Sequence, residues 1–218
     1  MEAQSRLVYI VTAEVEPDWE ADFNRWYDEE HVPNLLTVPG YRSGRRYVAV
    51  EGEPKYMAFW EIDSMDAYRS HEHDIAVNTP WTARLEPHRK LQMSFYEQIF
   101  PDTGLLHGAA WGEPVGAVLV NRIDVTPEGE QDFNDWYNQE HQPALCAVPG
   151  AIAARRFRAT QGEPRYMAMV YLTHAAVQAS AEWQQAVDTP WTTRARAAYQ
   201  RRWRVVYQPY ETRGPASN

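Results

Sequence analysis

Cysteine is nearly missing from this chain: Cys146 is the one among 218 residues, so no disulfide can form within it. There is also no glycine-rich phosphate loop, no G-x-S-x-G elbow, no paired-cysteine metal spacing and no dinucleotide fingerprint. Nothing in the pattern calls for a nucleotide, a metal or a flavin, and no cofactor is expected. Long apolar runs are absent as well. The stretch Leu7 to Ala13 is too short for a membrane span or a signal-peptide core, so a soluble cytoplasmic protein without a membrane partner is the default expectation. Basic charge is in deficit, with 21 Lys and Arg against 30 Asp and Glu, a net charge of −9 and a pI near 5.3. Such a surface repels phosphate backbones and argues against a nucleic-acid partner. The basic stretch from Arg194 to Arg204 reads as a solvated helix end running into a strand.

What the chain does have is rings. Nine Trp and thirteen Tyr bring the aromatic share to 13%, enough to fill a core and to line a pocket for a flat organic ligand.

The chain also repeats itself. A shift of 110 residues lays positions 7–100 on 117–210 without a gap, and about 35 of the 94 pairs are identical, which establishes an internal duplication. Phe23-Asn24 answers to Phe133-Asn134, Trp26-Tyr27 to Trp136-Tyr137, and Glu30-His31 to Glu140-His141. Val38-Pro39-Gly40 recurs as Val148-Pro149-Gly150, Arg45-Arg46 as Arg155-Arg156, and Thr79-Pro80-Trp81-Thr82 as Thr189-Pro190-Trp191-Thr192. Cys146 stands where the first repeat has Leu36, as a small core residue does. The organisation that follows is a first half over 1–100, a linker over 101–116 rich in Gly, Pro and Ala, a second half over 117–210, and a polar tail over 211–218.

Within the first repeat, Leu7 to Val11 reads as a buried strand. Pro17 suits the first turn of a helix, along which Phe23, Trp26, Tyr27 and Glu30 fall at i, i+3, i+4 and i+7. This helix is expected to end near Val32, because Pro33 disfavours helical geometry in the residue before it. Tyr41 to Val50 and Lys55 to Glu61 read as a hairpin around Gly52. Ser64 caps a second helix from Met65 to about His73, Thr79-Pro80-Trp81 opens a short helical turn, and Leu91 to Phe100 is a fourth strand. The order βαββαβ is a ferredoxin-like split βαβ. Its helices cover one sheet face, and the expected solution for the other is the second repeat, packed sheet to sheet.

The string F-N-x-W-Y-x-x-E-H-x-P-x-L-x-x-V-P-G, present at Phe23 to Gly40 and again at Phe133 to Gly150, resembles the first-helix signature of the EthD-like members of the dimeric α+β barrel superfamily. That resemblance implies a barrel normally built from two chains and fused here into one, with pairing of fused barrels into a homo-oligomer left open. Its members include cofactor-independent lyases, isomerases, polyketide cyclases and small monooxygenases.

His31 and His141 are the first candidates for chemistry. A histidine at a helix C-terminus has its cation favoured by the dipole and titrates near neutrality. Tyr27, at i−4, lies on the side of His31 and can hydrogen-bond the ring or a ligand. A structural role, tying the helix end to the next loop, fits the same residues. Trp26, Tyr56, Trp81, Arg46 and His73 are candidate substrate contacts, although a fixed turn explains Trp81 and surface pairing explains Arg46. The repeats differ in titratable groups: His71-Glu72-His73 faces Ala181-Glu182-Trp183, His88 faces Ala198, and Asp28-Glu29 faces Asn138-Gln139. This points to an active pocket kept by the first repeat, between its helices and sheet near the helix end. His71 and His73 on a helix point too far apart to chelate one ion, so no metal is expected. The expected partner is a small molecule, aromatic or polyketide-like with a carbonyl, undergoing acid/base lyase, isomerase or cyclase chemistry. A non-catalytic binding module and a cofactor-free monooxygenase of phenols are the alternatives.

Overall fold

The computed structural model describes residues 7–210; the tail expected over 211–218 lies outside them. Two compact units emerge. Of the described residues, the first comprises 7–48, 54–95 and 210, and the second 49–53 and 96–209.

The first unit runs β1 (Leu7–Val15), α1 (Glu20–Trp26), a π-helical turn (Tyr27–His31), α2 (Val32–Thr37), β2 (Tyr41–Glu51), β3 (Tyr56–Ile62), α3 (Met65–Tyr68), α4 (His71–Val77), α5 (Pro80–Leu85) and β4 (Arg89–Phe100), the last residues of β2 and β4 being counted with the second unit. The strand order is β4-β1-β3-β2. Strands β1 and β3 pair antiparallel from Leu7↔Ile62 to Ala13↔Tyr56, and β2 joins β3 with an irregularity between Tyr41 and Ser43. Side chains alternate between faces, and β1 is buried on both: Tyr9, Val11 and Ala13 pack under the helices, while Val8, Ile10 and Thr12 on the opposite face are at most 3% exposed.

Helix starts follow cap chemistry. Ser64 Oγ accepts from Asp66 N–H, Ser70 Oγ from His73 N–H and Thr79 Oγ1 from Thr82 N–H. The extra cap at Ser70 splits the single helix expected over Met65 to His73 into α3 and α4. Gly40 closes the V-P-G turn at φ +91°, where a Cβ would also meet Ala67 Cβ at 2.7 Å.

The larger correction concerns Pro33. The helix does not end at Val32 but continues to Thr37. The π turn makes this feasible: Val32 N–H donates to Tyr27 C=O, five residues back, so one extra residue enters the turn and the proline takes a first-turn position of α2.

The second unit repeats the series as β6 (Ala117–Val125), α6 (Glu130–Trp136), a π turn (Tyr137–His141), α7 (Gln142–Cys146), β7 (Ala151–Gln161), β8 (Tyr166–Leu172), α8 (Ala181–Val187), α9 (Pro190–Arg196) and β9 (Tyr199–Pro209). Its strand order is β9-β6-β8-β7. The segment expected as a linker is part of this unit. It carries the short strand β5 (Leu106–His107), which pairs with β7 through Leu106↔Ala154. Ala109 and Ala110 N–H donate to Cys146 and Ala151 C=O. No helix among the described residues is long and apolar enough to cross a membrane.

Candidate active site

The π turn decides where His31 points. In a regular α-helix its ring would lie over Tyr27, four residues back. With five residues in the turn the ring stacks on Trp26 instead, at 4.1 Å and 27°, and meets Tyr27 only edge-on at 4.9 Å. Tyr27 is therefore a packed wall of the site rather than a hydrogen-bonding partner of the imidazole. The dipole argument also fails, since His31 sits within a continuous helix. Burial, followed by the positive charge of Arg89, holds its pKa down to about 3, so the ring is neutral at neutral pH. His31 keeps an edge at the surface, but its Nδ1 is sealed and has no partner among the described residues. The outward-facing nitrogen is Nε2.

Around this ring the first unit assembles a group of aromatic side chains carrying polar atoms. Trp60 meets His31 edge-on at 6.2 Å, and its Nε1 is likewise sealed and unpartnered. Tyr41 hydroxyl and His73 Nδ1 share a hydrogen bond of 2.9 Å. Tyr68 tilts over His73 at 4.6 Å, and Tyr9 stacks on Phe95 at 4.7 Å and donates its hydroxyl to Met93 Sδ at 3.1 Å. Burial raises the Tyr9, Tyr27 and Tyr41 pKa values and lowers that of His73. At neutral pH these groups are therefore uncharged hydrogen-bonders.

Of the candidates read from sequence, His31, Tyr27, Trp26 and His73 come together here. The others do not. Trp26 Nε1 donates to Glu30 (3.1 Å) and Thr82 (3.2 Å), which also makes it a tie between α1 and α5. Trp81 Nε1 donates to Asp22 at 3.2 Å, bracing the same helices. Tyr56 hydroxyl accepts from Asn24 at 3.1 Å. Arg46 is neither a surface residue nor a free ligand donor. It is buried, donates to Asp28 (2.8 Å) and Asn24 (2.6 Å), and lies between the Tyr27 and Tyr210 rings at 4.2 and 4.1 Å. His88 is stacked on Trp19 at 3.7 Å and paired with Glu16 at 2.8 Å. Its replacement by Ala198 goes with Trp19 becoming Gly129, a packing exchange.

His141 stacks on Trp136 at 4.2 Å and is buried. Burial, then Arg196, holds it near 3, and its Nδ1 and Gln142 Oε1 are sealed and unpartnered. The surroundings differ, however. Where the first unit has Tyr9, Tyr41, Trp60, Tyr68 and Arg89, the second has Leu119, Ala151, Val170, Gln178 and Tyr199. These five residues were missed because only histidine and acidic differences between the repeats were read. The same 110-residue comparison, extended to aromatic positions, contains the signal.

An open groove of about 220 Å³ lies at the end of β1 and the start of β4, lined by Glu14, Val15, Glu16, Pro87, His88, Arg89 and Lys90. It borders the ring cluster through Arg89, at the opposite end of α1 from the one expected. Among the described residues no group of three or more His, Cys, Asp or Glu side chains is placed to hold a metal ion.

This geometry belongs to a mixed α+β fold shared with several solved structures. An anthrone oxidase-like protein matches with a TM-score of 0.68 at 14% identity, covering 98% of this chain and 95% of its own. A proposed monooxygenase from Fusobacterium nucleatum subsp. nucleatum ATCC 25586 matches at 0.61 and 11%, covering 97% and 94%. A variant chlorite dismutase from Candidatus Nitrospira defluvii, in complex with cyanide, matches at 0.64 and 12%, covering 95% and 92%. Identities this low establish the fold alone. Residues 6–83 match the model of a domain of unknown function, DUF4286. No curated protein matches the chain.

Proposed function

We propose that the chain is a cofactor-independent enzyme whose first repeat binds a small aromatic carbonyl or phenolic compound and moves a proton on it, with neutral His31 as the acceptor. One observation carries this reading. His31 presents Nε2 outward from a stack on Trp26, beside a group of hydroxyl-bearing rings that the second repeat replaces with Leu119, Ala151 and Gln178. In the step envisaged, an acidic C–H or O–H of the ligand gives its proton to His31 Nε2, and the enolate or phenolate formed beside the imidazolium offsets the burial and the Arg89 charge that otherwise disfavour that cation. Return of the proton at another atom gives isomerisation; expulsion of a β-substituent, which leaves with the His31 proton, gives a lyase outcome, and attack of the enolate carbon on a second carbonyl of the ligand, whose oxygen takes that proton, gives a cyclase outcome. Positioned acid–base help of this kind contributes about 10²–10⁴-fold. His141 is assigned a packing role. The view of the chain as a fused pair of ferredoxin-like repeats belongs with this proposal, supported by the gapless repeat and by the same series of elements in each unit.

The test is proton–deuteron exchange into small phenols and β-dicarbonyl compounds, followed by NMR, for the wild type and His31→Phe. Exchange catalysed by the wild type and lost in the variant supports the assignment; equal exchange by both removes it. A second reading, oxygenation of the deprotonated phenol, draws on solved structures described as oxidase-like and as a proposed monooxygenase. An oxygen electrode separates the two.

A further inference from the structure

Arg89 is the one charged residue of the ring cluster without an anionic partner among the described residues. Its guanidinium lies over the Trp26 ring at 4.7 Å and is half-buried, close enough to His31 to depress its protonation. Among the described residues it makes no ion pair and no side-chain hydrogen bond. Four other arginines of the unit show what is missing: Arg46 has Asp28, Arg84 has Asp22, Arg25 has Glu29 and Arg42 has Asp63. The nearest acidic groups are otherwise engaged or remote. Glu16 holds His88, Glu14 accepts from Lys55 N–H, and Glu86 is exposed and acts on Arg89 only beyond contact distance. A partly desolvated cation costs stability unless an anion meets it. Its planar fork suits a carboxylate, which it can hold through two hydrogen bonds.

The surroundings fix the rest of the ligand. Trp26 lies beneath the guanidinium, and Met93, on the same strand, is 48% exposed beside Tyr9. Beyond them opens the groove at Glu14 to Glu16 and Pro87 to Lys90. In the second repeat the corresponding residue is Tyr199, so no cation stands at that place.

We infer that Arg89 is the anion-binding residue of this site and that the ligand is an aromatic monocarboxylate, its carboxylate on the guanidinium and its ring in the adjoining groove, against Val15, Pro87 and the His88 imidazole. This rests on the proposed binding site in the first repeat and narrows its substrate class.

The experiment measures binding of 2-naphthoate and its uncharged near-isostere 2-naphthamide to the full chain, by calorimetry and Trp fluorescence, at low and moderate salt. The wild type should prefer the carboxylate by about tenfold or more, the size of a charge-assisted hydrogen-bonded pair. Arg89→Gln should abolish that preference, and Arg89→Lys should restore part of it. Equal binding of both probes to the wild type overturns the inference and leaves an aromatic pocket standing. Binding of neither overturns both. The wild-type preference is read independently of any variant, so a failure of Arg89→Gln to fold does not shield the idea. Naphthoate preference without proton exchange on any tested compound would sink only the enzymatic reading.

Discussion

Replacing His31 by Phe isolates what the imidazole nitrogens do, because the phenyl ring keeps the stack on Trp26 and removes the sealed Nδ1. A buried polar atom left without a partner costs about 1–3 kcal/mol, and the slightly larger ring in a packed slot takes back about 1 kcal/mol. At pH 7.5 the variant should therefore be more stable by about 1 kcal/mol, or roughly 2–4 °C in Tm for a chain of this size. Acid widens the gap. His31 in the folded chain stays neutral down to about 3, whereas in the unfolded chain it takes a proton near its ordinary value of 6.5. Its contribution is thus complete above about 6.5 and is lost as pH falls toward 3, at up to about 1.4 kcal/mol per pH unit. Because the ring keeps an exposed edge, a fair expectation at pH 5 is a lead of about 2–3 kcal/mol for the variant. Urea unfolding at pH 7.5 and pH 5 reads this directly, and proton exchange should be lost in the same protein. A variant that loses stability at both pH values, or that follows the wild-type acid limb in parallel, would refute the reasoning about the sealed nitrogen.

Other perturbations follow from comparing the repeats. Arg46→Met strands the carboxylate of Asp28, which is 16% exposed, and should cost about 3–5 kcal/mol. Arg156→Met removes a partner of neutral Asn138 and Asn134 and should cost less, which chemical denaturation of the two variants compares. Conversely, Asn138→Asp supplies Arg156 with the anion that Asp28 gives Arg46, and calorimetry should show a gain of about 1 kcal/mol. At Gly44 a Cβ would meet the Trp60 ring at 2.3 Å, so Gly44→Ala should cost about 1–3 kcal/mol. Adding Trp60→Val recreates the Ala154 and Val170 pair of the second repeat and should return most of that loss in a double-mutant cycle.

The fold was legible where the chain states a pattern twice. The strands around Gly52, the cap at Thr79 and the buried stripe of Phe23, Trp26 and Tyr27 could all be read from spacing, because periodicity and cap chemistry are local. The course of the helix past Val32 was not, since the rule against a helical residue before proline assumes a four-residue turn, and the sequence does not announce a fifth. That one residue also moved the neighbour of His31 from Tyr27 to Trp26. The charge state of the imidazole was illegible for a related reason: a dipole is read from position along a helix, but desolvation and the nearness of Arg89 come from tertiary packing. Arg46 shows the same limit. Two adjacent arginines on a strand say that one faces inward; they do not say that Asp28 and Asn24 wait there.

The π turn has one more bearing on how this protein tolerates change. Shortening the chain by a residue between Tyr27 and His31 would convert the turn to ordinary α geometry and rotate everything after it by about 100°. Leu35, now fully buried, would swing toward water, and Pro33 would face the clash that the wider turn relieves. Length in this stretch is therefore a matter of angle, and a single-residue deletion there should be far more damaging than almost any side-chain replacement at the same positions.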